Sequence, residues 1–257
     1  MRIIAVTNQK GGVGKTTSVI HVGIGIARKG RRVLMIDIDP QGNLTKGLGI
    51  DTMGKKTIYE VLRPEDACPI SETIVHMDGY DVVPSDLRLC NAEMELFTVH
   101  ARELLLKNAI EDIVGDYDYI FIDCPPALGT LTANAMVAST ELMVALQPEA
   151  AALDGLSMLE KTIAALNKSL NKVMGLKVEI TGVVITLYKS NTTIHQSFAE
   201  HAREYFGSRV FNTRIRDTVD FPVAYAQQKS IYDWKPSSGG AADYMALCDE
   251  IVGQEAK

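Results

Sequence analysis

Short, unbroken apolar runs recur along the chain, each bounded by turn-forming or charged residues: Ile3–Val6, Val33–Ile36, Tyr119–Ile122, Leu142–Leu146 and Gly182–Ile185. Runs of this length that do not alternate with polar residues read as strands buried on both faces, the pattern of a parallel sheet. Between them the apolar positions move to helical spacing. The spacing predicts helices over residues 15–28, 128–138 and 152–170, and a short one near Ile58–Leu62. Residues 91–114 carry the same spacing, with Leu104, Leu105, Ile110 and Ile113 expected in the core. Tyr80–Ser85 reads as a further short strand and turn. Gly30 is a natural left-handed stop for the first helix. A strand, a helix and a second strand in succession form a crossover that is right-handed in nearly all folds. The whole alternation predicts an α/β protein: a doubly wound, mainly parallel sheet with helices on both faces. No internal repeat, low-complexity stretch or linker interrupts it, so residues 1–257 are expected to form a single domain without an N-terminal helix-turn-helix.

Composition narrows the picture. The length of 257 residues suits one large α/β domain, and 46% hydrophobic residues suffice for a sizeable core. A net charge of −6 argues against a surface that coats nucleic acid throughout, and leaves only a local basic patch. Residues 186–235 hold seven Lys/Arg against five Asp/Glu. Cys68, Cys90, Cys124 and Cys248 are far apart and show no C-x-x-C pair, so they read as reduced, mostly buried thiols. No signal peptide precedes the first strand and no apolar run reaches the roughly 18 residues of a membrane span, which points to the cytoplasm.

Chemistry concentrates where the first strand meets the first helix, in Asn8-Gln9-Lys10-Gly11-Gly12-Val13-Gly14-Lys15-Thr16-Thr17. Three glycines let the backbone approach an anion, and the following helix offers unpaired N–H groups and the positive end of its dipole. Residues Asn8 to Thr17 therefore read as a phosphate-binding loop, with Lys10 to Thr17 as nucleotide contacts. Lys15 is placed to reach the β- and γ-phosphates and Thr16 to coordinate Mg²⁺. The second strand ends in Asp37-Ile38-Asp39-Pro40-Gln41-Gly42-Asn43, at the edge where doubly wound sheets bind ligands, and the two aspartates are expected to take different roles. The third strand ends in Asp123-Cys124-Pro125-Pro126. A single carboxylate there suits Mg²⁺ held partly through water, and the two prolines favour a defined loop. Cys124 is expected to be structural.

The loop departs from the usual G-x-x-x-x-G-K-[ST] pattern, with Gln9 at the first glycine position and an additional Lys10. The variant resembles the deviant Walker ATPases of the ParA/MinD group. The stretches DIDPQGN at 37–43 and IDCPP at 122–126 resemble that family's next two signatures, and the likeness extends over nearly the whole chain. It implies ATP and Mg²⁺ as cofactors, with Lys10, Lys15 and Asp39 catalytic and Thr16, Asp39 and Asp123 at the metal. It further implies that Lys10 reaches the partner's nucleotide in an ATP-bound homodimer. Asp39 would position or activate the attacking water, and the loop after Asp123 would sense the γ-phosphate.

The last third departs most from the family. Chromosomal members carry a segment like TMYDxRT, where this chain has Thr186-Leu187-Tyr188-Lys189-Ser190-Asn191-Thr192. Asp217 stands where an arginine is common. Tyr188 and Arg216 are candidates for the adenine pocket. Lys189, Arg203, Arg214 and Arg216 are candidates for contacts to DNA. The resemblance implies a partitioning ATPase that binds DNA non-specifically, answers to a ParB-like centromere-binding protein and associates with the nucleoid. A membrane-bound variant would end in a basic amphipathic helix, whereas residues 241–257 hold four acidic residues against Lys257 alone. The remaining alternatives are a cargo-positioning ATPase that does not act on DNA, and an ATP-dependent metabolic enzyme on the same scaffold.

Overall fold

Eight strands order the molecule in the computed structural model, which describes residues 1–149, 152–174 and 177–255. They are β1 (Arg2–Thr7), β2 (Val33–Asp37), β3 (Val75–His76), β4 (Asp81–Val83), β5 (Tyr119–Asp123), β6 (Glu141–Leu146), β7 (Ile180–Tyr188) and β8 (Val210–Arg216). They form one sheet in the order β3-β4-β2-β5-β1-β6-β7-β8, and every neighbouring pair except β3 with β4 is parallel. From β1 the chain crosses first towards β2 and β4, returns through β5, and then builds outward through β6, β7 and β8. The strand order thus reverses beside β1, the position at which open α/β sheets hold ligands.

Side chains alternate across each strand, and two cores result. Ile3, Ala5, Ile120 and Ile122 face one layer; Ile4, Val6, Tyr119 and Phe121 face the other. The first layer packs under α3 (Ile58–Leu62), α4 (Leu89–Glu95), α5 (Leu105–Glu111), α6 (Thr130–Ala138), α7 (Ala152–Met174) and α8 (Thr193–Phe206). The second packs under α1 (Lys15–Ala27), α2 (Asn43–Gly47), α9 (Asp220–Ala226), α10 (Ile231–Trp234) and α11 (Gly239–Gly253). The doubly wound, mainly parallel sheet is therefore the one expected. Local signals agree with it: α1 is followed by Gly30 at φ 80°, Thr57 and Glu60 close a capping box on α3, and Ser238 caps α11.

Three expectations change. The helical spacing over 91–114 does not make one helix: Ala101 sits at φ 55° between α4 and α5. Tertiary bonds compete here with the helix, because Asn134 on α6 accepts from Leu106 N at 3.0 Å and donates to Arg102 O at 2.8 Å. Leu104 and Leu105 are only partly buried, while Ile110 and Ile113 lie in the core. Of the cysteines, Cys124 and Cys248 are buried but Cys90 is exposed; all four are free thiols.

Candidate functional site

The carboxyl ends of β1, β2 and β5 lie side by side, with Asp37 in register with Asp123 and Asp123 in register with Val6. The loop after β1 closes over them and opens α1. Gly12 and Gly14 take φ values of 75° and 82°, which only glycine adopts without strain. No atom lies within 4 Å of where a Cβ on Gly11 or Gly12 would stand, so bare backbone faces an open cradle. Val13 contributes backbone alone, since its side chain is buried and its carbonyl accepts from Thr186 Oγ1 at 2.7 Å.

The cavity beside this loop measures about 610 Å³, within the range of small-molecule sites. Gly11, Gly12, Gly14, Lys15, Thr16 and Thr17 line one side, with Asp39, Gln41, Asn43 and Pro126 beside them. The opposite wall comes from the ends of β7 and β8 and from α9 and α11, including Leu187, Ile215, Phe221, Tyr225 and Tyr244. No motif announces these wall residues. Leu187 has φ 51°, a strained value for a branched side chain, where the pairing of β7 with β8 slips register.

Lys15 Nζ donates to Lys10 O at 3.0 Å, and Thr16 Oγ1 donates to Asp123 Oδ2 at 2.7 Å. Asp123 Oδ1 is buried without a hydrogen-bond partner among the described residues. Burial, then the nearby Asp37, raises the Asp123 carboxyl well above the usual range. Burial also pushes Asp37 up to about 6, against the hydrogen bonds it accepts from Thr45 and Asp39. Lys15 is lowered by burial, with Asp123 opposing. Three buried ionisable groups thus lie close together, with acceptor capacity to spare on Asp123. An all-oxygen donor set of Thr16, Asp123 and Asp39, one of its oxygens orphaned, fits Mg²⁺.

Asp37 and Asp39 separate in position, although alternate residues of a strand share a face. The strand ends at Asp37, whose fully buried carboxylate binds backbone and Thr45, while Asp39 lies beyond it and lines the cavity. Cys124 is buried, its thiol pushed upward by burial and by Asp123, which suits a structural role.

Other candidates fall elsewhere. Tyr188 does not line the cavity: the register slip turns Leu187 to it, while Tyr188 packs under Arg214, accepting from Nη1 at 2.7 Å with the guanidinium 4.8 Å from its ring centre. Arg216 does line the cavity, but its guanidinium forks onto Asp243 at 2.7 and 2.8 Å. Lys189 pairs with Asp217 at 3.2 Å, and Arg203 donates to Val210 O, Phe211 O and Asn212. Each of the four candidate cations for DNA is thus engaged by a neighbour within the chain. Lys10 is not among the cavity-lining residues; its ammonium binds Glu149 and, at 3.3 Å, Gln147 Oε1.

A glycine cradle opening a helix, beside acidic strand ends at the switch of a parallel sheet, defines a P-loop nucleotide hydrolase. A family model described as an AAA domain matches residues 1–176. The sporulation initiation inhibitor protein Soj of Bacillus subtilis is 40% identical over 253 residues, covering 98% of either chain. The chromosome partitioning protein ParA of Caulobacter vibrioides is 39% identical over 258 residues, covering 99% of this chain and 95% of its own. Among solved structures, cobyrinic acid a,c-diamide synthase from Mycobacterium smegmatis, with a bound ATP analogue and magnesium, matches with a TM-score of 0.82 and 33% identity over 98% of this chain and 94% of that one. A plasmid partition protein from Borrelia burgdorferi bound to AMPPNP matches with a TM-score of 0.84 and 25% identity over 98% and 99% of the two chains. The chain belongs to this family, that of the ParA/Soj-type P-loop ATPases.

Proposed function

We propose that the chain binds and hydrolyses ATP in this cavity as half of a shared site. Two copies close face to face on ATP, bind DNA non-specifically, and part when hydrolysis is stimulated by a ParB-like centromere-binding protein. The supporting observation is the position of Lys10. Lys15, Thr16 and Asp39 line the chain's own cavity, with buried Asp123 bonded to Thr16 behind them, whereas Lys10 carries its charge to Gln147 and Glu149, outside the cavity lining. A lysine in the loop that does not serve its own pocket is available to a second nucleotide.

In this reading the amides of residues 11–17 hold the phosphates, Lys15 offsets charge on the β- and γ-phosphates, and Asp39 orients the attacking water. Thr16 and Asp123 would hold Mg²⁺, which neutralises charge between the transferring and leaving phosphates. Little covalent chemistry is asked of the protein, so positioning and charge dominate.

For DNA, the candidates divide by their partners. Lys189 and Arg216 are neutralised by Asp217 and Asp243, while among the described residues no carboxylate pairs with Arg203 or Arg214. A weak patch counted twice in a dimer gains steeply, because affinity rises with each phosphate neutralised. Cargo on the nucleoid, a chromosome or a plasmid, follows from this. Among the described residues no helix is long and apolar enough to cross a membrane. Binding to random duplex with ATP, ADP or no nucleotide, at two salt concentrations, tests the proposal. Salt-sensitive binding with ATP alone supports it, and binding indifferent to nucleotide overturns it.

The likeness to the diamide synthase favours a second reading, ATP-dependent amide synthesis. A protein that remains monomeric in ATP and Mg²⁺ by light scattering and ignores DNA would point there.

A further inference from the structure

Asp39 lies beyond the last residue of β2, so no strand ladder fixes it. Four bonds do so instead. Its N–H donates to Asp37 Oδ1 at 3.2 Å, and its carbonyl accepts from Gly42 N at 2.8 Å and Ser85 Oγ at 2.8 Å. Its Oδ1 accepts from Gln41 N at 2.9 Å, leaving Oδ2 without a protein donor among the described residues. Asp37 is itself held: its Oδ2 accepts from Thr45 N at 2.9 Å and Thr45 Oγ1 at 2.7 Å. The ring closes through Ser85, whose N–H donates to Thr45 Oγ1 at 2.9 Å.

Thr45 and Ser85 are each 2% exposed and Asp37 is fully buried, so these bonds are shielded from water and hold a single geometry. The contact is also close-packed. A Cβ on Gly42, at φ 61°, would stand 2.9 Å from Ser85 O. Ser85 follows β4 and lies 46 residues from Asp39, outside every nucleotide motif of the chain.

We propose that Ser85 and Thr45 are positioning residues for Asp39. Ser85 grips the Asp39 carbonyl, Thr45 fixes the Asp37 carboxylate that holds the Asp39 N–H, and together they set where the free Asp39 oxygen meets the attacking water. The proposal rests on the reading of Asp39 given above. Its chemistry is that of preorganisation: a displacement of about 1 Å in a catalytic group costs up to roughly a hundredfold in rate.

The test compares Ser85→Ala, Thr45→Val, Thr45→Ser and Asp39→Ala, with the double variant Ser85→Ala/Asp39→Ala. Single-turnover ATP hydrolysis, affinity for a non-hydrolysable ATP analogue and melting temperature are read for each. Ser85→Ala leaves the Asp39 carbonyl bonded to Gly42 N, so folding and analogue affinity are retained while hydrolysis slows about tenfold or more. Thr45→Val removes the hydroxyl donor from buried Asp37 and the acceptor for Ser85 N, and is the variant at risk of misfolding; Thr45→Ser keeps the hydroxyl and restores the rate. In the Asp39→Ala background, Ser85→Ala slows hydrolysis no further. A wild-type rate in Ser85→Ala beside a crippled Asp39→Ala, or equal slowing by Ser85→Ala in both backgrounds, overturns the positioning role alone. A wild-type rate in Asp39→Ala overturns the reading of Asp39 and this proposal with it.

Discussion

Asp123 accepts a 2.7 Å hydrogen bond from Thr16 on one carboxylate oxygen, while the other, buried beside it, has no partner among the described residues. An unpaired buried acceptor costs about 1–3 kcal/mol, and such a cost persists where a ligand removes it. Asp123→Asn retains the shape and the bond to Thr16 but loses the charge. We expect the variant to fold with unchanged or higher melting temperature, and to lose the Mg²⁺-dependent gain in affinity for an ATP analogue. Calorimetric titrations with and without Mg²⁺ decide it; an undiminished gain would remove Asp123 from the metal site.

Lys10 carries a prediction of a different kind. Its pair with Glu149 joins two side chains more than 40% exposed, and such pairs contribute at most about 1 kcal/mol. Lys10→Ala should therefore leave stability and the analogue affinity of the monomer within about threefold of wild type. Dimer formation in ATP and Mg²⁺, followed by light scattering, should be lost. A dimer of normal affinity in Lys10→Ala would show that each copy completes its own site.

His21, on α1, governs an acid limb of stability. Its ring stacks on Tyr244 and meets Phe221 and Tyr232 edge-on, and its Nδ1–H donates to Thr17 O at 2.7 Å, leaving buried Nε2 without a partner among the described residues. Burial lowers its pKa from 6.5 to about 4. Between those values the unfolded chain binds a proton that the folded chain does not, so stability falls as pH drops from about 6.5 to 4. The loss amounts to about 3 kcal/mol. Asp37, raised to about 6, and Asp123 take up protons on the folded chain over the same range and oppose this limb, so the His21 contribution is read as the difference in slope between denaturant melts of wild type and His21→Gln. A slope unchanged by the substitution would assign the acid limb to other groups.

The parts of the site carried by consecutive residues were legible in the sequence. The loop from Lys10 to Thr17 and the aspartates closing β2 and β5 declare themselves, because an apolar run followed by a polar terminus means a strand end in a parallel sheet. The opposite wall was not legible, because Leu187, Ile215 and Tyr244 meet only through pairing of β7 with β8 and packing of α11. A register slip exchanges adjacent residues, which is why Leu187 rather than Tyr188 faces the cavity. Ser85 read as part of a plain strand-ending turn; nothing local ties it to Asp39. The partners of the basic residues were not legible for a related reason. Charge can be counted along a chain, but the pairing of Arg216 with Asp243 depends on α11 docking beside β8.

Gly25 tests how tightly α1 is held against α11. Glycine inside a helix ordinarily costs about 1 kcal/mol relative to alanine, so Gly25→Ala would stabilise an isolated helix. Here an added Cβ would stand 2.6 Å from both Cys248 Sγ and Tyr232 Oη, and that tyrosine donates to His21 O at 2.8 Å. Neither neighbour is a loose chain end, as Cys248 and Tyr232 are both buried. Overpacking of a filled core costs about 1–3 kcal/mol, which outweighs the helix gain. Gly25→Ala should lower stability by roughly 1–2 kcal/mol in urea melts. Gly253→Ala, with no atom within 4 Å of the new methyl, should be neutral or slightly stabilising and serves as the control. If both substitutions stabilise, the packing of α11 on α1 is looser than these distances state.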